Sequence, residues 1–79
     1  MLDVTISHVS STAYFLNVRL SDGRKLSVPI DWFPRLRRAS RAQRADYVII
    51  AAGHGIHWPQ IDEDLSVDGL LRGQPAPGA

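Results

Sequence analysis

Three features of this 79-residue sequence predict an α+β fold, with a small antiparallel sheet of about five strands packed against one or two short helices. Apolar and polar residues alternate along most of residues 3–30. Asp22-Gly23 interrupts that alternation at a point where a tight turn is needed. Proline and helix-capping residues then crowd the segment from Pro29 to Gln43, where the period of two stops.

Val4 and Ile6 alternate with Asp3, Thr5 and Ser7, and Tyr14, Leu16, Val18 and Leu20 alternate with Phe15, Asn17, Arg19 and Ser21. Each run has the spacing of a strand with one buried face, and the two join near Ser10 to Thr12. Asp22-Gly23 predicts a hairpin, because a primed turn needs positive φ, and Leu26, Val28 and Ile30 resume the alternation after it. The first half therefore reads as a three-stranded meander, which Pro29 ends.

Asp31 is positioned to cap the next helix, whose first turn tolerates Pro34, and Trp32, Phe33 and Leu36 share a face. Ser40 through Gln43 has the capping-box pattern that opens a second helical turn. Tyr47, Val48, Ile49 and Ile50 form a strand expected to be too apolar for exposure on both sides. Gly53-His54-Gly55 supplies a turn into a final strand of Ile56, His57 and Trp58, and Pro59 stops the pairing. A last helix is expected from about Val67 to Arg72, capped by Ser66 or Asp64, stopped by Gly73 and docked by Leu65, Leu70 and Leu71. Residues 1–73 thus form one domain, and residues 74–79, QPAPGA, are expected to be a mobile tail.

So short a chain buries only about 60% of the surface its unfolded form exposes, so the core is modest. With no cysteine there is no disulfide and no thiolate metal cage. The start, MLDVTISH, lacks the regions of a secretion signal, and no stretch approaches the roughly 20 apolar residues of a membrane span, so the expected location is the cytoplasm. The net charge of +1 predicts no general attraction to polyanions, but its distribution is uneven. Arg35, Arg37, Arg38, Arg41 and Arg44 form a basic patch, and Asp62, Glu63, Asp64 and Asp68 an acidic one.

Little here suggests catalysis. His54 and His57, even with His8, lack the i, i+4 helical spacing that presents two imidazoles to one metal ion. No Gly-x-Ser-x-Gly elbow and no glycine-rich phosphate loop occurs. Asp62, Glu63 and Asp64, read as a loop after a proline, suit solvation rather than acid–base work. The expectation is a protein that is not an enzyme and needs no cofactor or metal, with Trp32, Phe33 and Trp58 in the core. The acidic patch is a candidate surface for a basic partner, and the arginines a candidate surface for phosphates or carboxylates.

The run GIHWPQIDEDLSVDGLLRG from Gly55 to Gly73, with LSDGRKLSVPIDWFPRL and RAQRADYVIIAAGHG before it, resembles a bacterial family known as domain of unknown function 2442. The resemblance covers nearly the whole chain. It implies the same α+β fold and an association with toxin–antitoxin pairs, which favours a binding protein over an enzyme. The function expected is a non-catalytic protein-binding module that occludes a partner. Its partner would be a toxin or a host defence complex such as a CRISPR effector. The alternative is a nucleic-acid-binding regulator using the cluster from Arg35 to Arg44. A sheet with an open edge also suits pairing with a second copy of the chain.

Overall fold

The computed structural model describes residues 3–73. The predicted mobile tail, residues 74–79, lies outside them. The meander forms as expected: β1 (Ile6–Ser11), β2 (Phe15–Leu20) and β3 (Lys25–Pro29) make an antiparallel sheet in that order. Gly23 takes a φ of +93° between β2 and β3 but Asp22 takes no positive φ, so the hairpin forms without the primed turn expected; the Asp22 carboxylate accepts the Arg24 N–H.

Two deviations from simple alternation have local causes. Ile6 lies opposite Leu20 but His8 lies opposite Arg19, so Ser7 is the extra residue of a β-bulge. The bulge shifts the parity of β1 and buries Val9 rather than His8. Tyr14, expected on the core face, instead sits before β2 and is 75% exposed. It belongs to a turn in which the Thr12 hydroxyl accepts the Tyr14 and Phe15 N–H groups, and its carbonyl accepts the Ile30 N–H. Its backbone is committed and its ring is left outside.

After a single 3-10 turn over Ile30–Trp32, α1 spans Pro34–Arg38. Asp31 does not cap it: Phe33 holds the N-cap position, and Pro34 stands in the first turn, where a missing N–H leaves no helical bond unmade. Asp31 pairs with Arg37 at 3.4 Å instead. The capping box of α2 (Arg41–Ala45) is as predicted, with Gln43 N–H donating to Ser40 Oγ at 3.1 Å and Ser40 N–H to Gln43 Oε1 at 2.8 Å. Ala39 is extended between the helices, so α1 and α2 are separate and the arginines do not line one continuous helix.

The second half forms another antiparallel sheet, with β4 (Val48–Ile50), β5 (Gly55–Trp58) and β6 (Glu63–Ser66) in that order, followed by α3 (Val67–Leu71). The α+β class holds, with six strands in two sheets of three. Two expectations are corrected here. Pro59 does end β5, but Ile56–Trp58 is not the last strand. The chain turns through Asp62 at φ +53° and returns as β6, so Glu63 and Asp64 stand opposite Trp58 and His57 rather than in a loop. With Leu65 its only large apolar residue, β6 lacks the alternation that marks a strand in sequence, and its pairing is a backbone matter. The strand of Val48, Ile49 and Ile50, expected to be covered, is exposed because β4 is the outer strand of its sheet.

Ser66 settles the cap of α3, its hydroxyl accepting the Gly69 N–H at 2.9 Å, and Gly73 stops the helix at φ +70°. Leu70 is buried and Leu65 packs partly against the core, while Leu71 is largely exposed. One apolar cluster joins both sheets: Leu16, Val18, Leu20 and Val28 meet Phe33 and Leu36 of the helical segment, then Ile56, Trp58, Val67 and Leu70. Trp58 and Phe33 are enclosed as predicted, and Trp32 packs at the margin of the cluster.

Candidate functional site

Strand β4 is the least protected ordered element. Val48, Ile49 and Ile50 are 46%, 41% and 39% exposed, although no residue from Tyr47 to Gly53 carries a charge. Its register, Val48 opposite His57, Ile49 opposite Ile56 and Ile50 opposite Gly55, puts Ile49 on the core side and Val48 and Ile50 on the outer side. Both faces of the strand are therefore apolar. Its second backbone edge pairs with no other strand among the described residues.

Proteins usually guard such an edge with charges, prolines or a covering element. This sheet guards its other edge in that way: β6 carries Glu63 and Asp64. At β4 no such guard stands among the described residues.

The strand is held firmly at both ends. On its N-terminal side, Trp58 Nε1 donates to the Arg44 carbonyl at 3.0 Å, and the Tyr47 ring packs tilted on Trp58 with centroids 6.5 Å apart. On its C-terminal side, Ala51 and Ala52 both take a φ of +54°, and Gly53 follows at +93°. A Cβ on Gly53 would lie 2.8 Å from Thr5 Cβ, so the N-terminal segment closes directly over this loop. Gly55 serves β4 itself, since a Cβ there would lie 3.1 Å from Ile50 Cγ1.

His54 locks the same loop. Its Nδ1 lies 2.8 Å from the Ala51 carbonyl, an acceptor only, so Nδ1 must donate; Nε2, 2.5 Å from Asp3 Oδ1, can donate as well only when the ring is charged. The hydrogen bond to Asp3, then that to Ala51, raises the His54 pKa above its ordinary value. At the β2–β3 turn the opposite shift occurs: the Arg24 N–H bonded to the Asp22 carboxylate lowers its pKa, against a smaller effect of desolvation.

The acidic residues do not form one open patch. Asp64 pairs with His57 across the outer face of the sheet, Asp68 pairs with Arg72 one helical turn on, and Glu63 accepts the Asp64 N–H. Asp62 carries an exposed carboxylate at the turn into β6, and Glu63 points to the opposite face of that strand from Asp64. The basic residues are likewise divided. Arg35 donates to the Asp62 carbonyl, Arg37 pairs with Asp31, and Arg44 reaches back to the Leu36 and Ala39 carbonyls at 3.4 and 2.9 Å, closing the end of α1. Arg38 and Arg41 are exposed and make no such bond among the described residues. No three His, Asp or Glu side chains converge as a metal ion would need among the described residues.

The β4 edge is the feature that sequence reasoning misses. The signal available is the length of the uncharged run from Tyr47 to Gly53, which suggests burial and is in fact an unguarded edge.

A fold of two small sheets sharing one core recurs in known structures. A crystallised protein of unknown function from Rhodospirillum rubrum matches at a TM-score of 0.79 and 26% identity, over 95% of this chain and 93% of that one. An uncharacterized protein from Chromobacterium violaceum, solved by NMR, matches at a TM-score of 0.76 and 25% identity, over 94% of this chain and 70% of that one. No curated protein matches the chain. The family model described as "Protein of unknown function (DUF2442)" matches residues 6–76, which takes in every strand and helix of the fold. The chain belongs to the DUF2442 family.

Proposed function

We propose that this protein is a non-catalytic binding module that captures a partner protein by strand addition at β4 and thereby occludes a functional surface of that partner. One observation carries the reading: the outer edge of β4 is exposed, uncharged and apolar on both faces. Such an edge offers backbone hydrogen bonds to an extended segment, and Val48, Ile49 and Ile50 offer apolar area to its side chains. Occlusion of this kind needs no catalytic group. It suits an antitoxin that covers a toxin, or a phage or mobile-element inhibitor that covers a host defence complex such as a CRISPR effector, and either role belongs in the cytoplasm. Asp62, whose carboxylate is exposed at the turn into β6, would add attraction for a basic partner. The alternative, a nucleic-acid regulator using the arginines of the helical segment, has less support, because Arg35, Arg37 and Arg44 are engaged within the molecule.

The test is affinity capture from the native host with the wild-type chain and Val48→Lys in parallel. The variant places a charge on the outer side of the edge strand, where Val48 is 46% exposed, and should still fold, as a melting curve checks. The expected result is one protein captured in stoichiometric amount by the wild type and lost from the variant. Equal capture by a folded Val48→Lys would overturn the proposal, and so would wild-type self-association abolished by the same change, since a second copy would then occupy the edge.

A further inference from the structure

The register of the first sheet sorts its solvent face into three rows. His8, Arg19 and Lys25 stand side by side across β1, β2 and β3; Ser10, Asn17 and Ser27 form the next row; Phe15 and Pro29 form the third. The bulge at Ser7 creates the first row, because without it His8 would point into the core. No residue of the three strands is acidic. The nearest carboxylate along the chain, Asp22, is already bonded to Arg24 in the turn.

Phe15 is 46% exposed on this face and Tyr14 is 75% exposed beside it. Neither ring belongs to the core cluster, and Phe15 stands opposite Pro29 on the solvent face. The basic row also continues round the edge of β1. His8 and Ser10 line a hollow of about 320 Å³ together with Arg41, Arg44 and Tyr47. The side chains of Lys25 and Arg19 on the sheet and Arg41 at the rim of this hollow thus flank the His8 imidazole, and Arg41 lies exposed without an internal partner among the described residues.

We propose that the solvent face of the first sheet is a binding site for single-stranded nucleic acid. Arg19, Lys25 and Arg41 would take backbone phosphates, while Phe15 would stack a base. The Asn17 amide, whose Oδ1 accepts from Ser27 Oγ at 2.6 Å, presents its NH2 donors toward a base edge or sugar. Alternate residues on a strand lie about 7 Å apart, so the basic row and Phe15 are separated by about 14 Å, room for a short unpaired segment lying along the strands. A duplex fits less well, because its stacked bases are closed to Phe15. This site is distinct from β4, which lies in the other sheet, and it does not depend on a protein partner.

Fluorescence anisotropy with a labelled oligouridylate, an oligothymidylate and a duplex of the same length, titrated with the intact chain at low and moderate salt, tests the proposal. Both single strands should bind more tightly than the duplex. Arg19→Glu with Lys25→Glu should weaken binding at least tenfold and reduce the salt slope by about 1.4, since each phosphate that a cation neutralises on a single strand adds about 0.7 to it. Phe15→Ala should weaken binding severalfold with the salt slope unchanged, since it removes stacking and no charge. The milder Lys25→Gln should weaken binding in the same direction if the double variant fails to fold. Absence of binding at low salt, equal affinity for the duplex, or full affinity in the folded Arg19→Glu, Lys25→Glu chain would overturn the proposal. Selective capture of an acidic protein by this face with no oligonucleotide bound would also overturn it.

Discussion

The indole Nε1 of Trp58 donates to the backbone carbonyl of Arg44 at 3.0 Å, while the guanidinium of Arg44 reaches in the other direction to the carbonyls that end α1. One residue therefore ties the second sheet to both short helices. Helices of five residues have little stability of their own, so such ties decide whether the segment is ordered.

Trp58→Ala should cost about 3–5 kcal/mol, because the ring is 1% exposed and fills the junction between the sheets. A loss of that size approaches the whole stability of a small domain. Trp58→Phe keeps most of the volume but leaves the Arg44 carbonyl without its donor, and should cost about 1–3 kcal/mol. Chemical denaturation checks both values; a Trp58→Ala midpoint equal to that of the wild type would contradict the packing of this junction.

Gly53→Ala should destabilise by about 2–4 kcal/mol, combining a left-handed backbone that alanine disfavours with a Cβ driven against Thr5. The second contribution can be isolated. In a Thr5→Gly background the obstructing Cβ is gone, and Gly53→Ala should then cost about 1 kcal/mol less. A double-mutant cycle by urea unfolding measures the coupling, and a value of zero would show that the N-terminal segment does not close over the loop.

The link between His54 and Asp3 predicts a pH dependence of defined sign. The folded pKa of His54 is raised, so its stabilising effect is fully present below the unfolded value of about 6.5 and fades as pH climbs through the higher folded value. The melting temperature of the wild type should therefore exceed that of Asp3→Asn most clearly between pH ~5 and ~6, and the difference should shrink in mildly alkaline buffer. The pair is solvent-exposed, so the effect should be small and weaken with salt. A difference that grows with rising pH would contradict the assignment.

Much of the fold is legible in the sequence where local chemistry is decisive. Asp22-Gly23, the Ser40–Gln43 capping box and the Ser66 cap each set backbone geometry through bonds within a few residues, and each occurs where the pattern indicates. The misreadings arise where pairing is long-range. Glu63–Ser66 becomes a strand because Trp58 and His57 present a free ladder to it, which the composition of the segment does not announce. The uncharged run at β4 is ambiguous for a related reason: an apolar strand reads the same whether it lies in the middle of a sheet or at its edge. The charged clusters are visible as clusters, but not their division into internal pairs, because whether Arg44 meets solvent or the end of α1 depends on the break at Ala39.

Hydrogen–deuterium exchange of the chain, free and bound to the protein captured from its host, measures the site of docking most directly. Strand addition predicts new protection at the outward-facing amides of Val48–Ile50 and at the flanking residues Tyr47 and Ala51, with little change in β6 or α1. Protection confined to Glu63–Ser66 or to Arg35–Arg41, with β4 exchanging as fast as in the free chain, would contradict docking at β4.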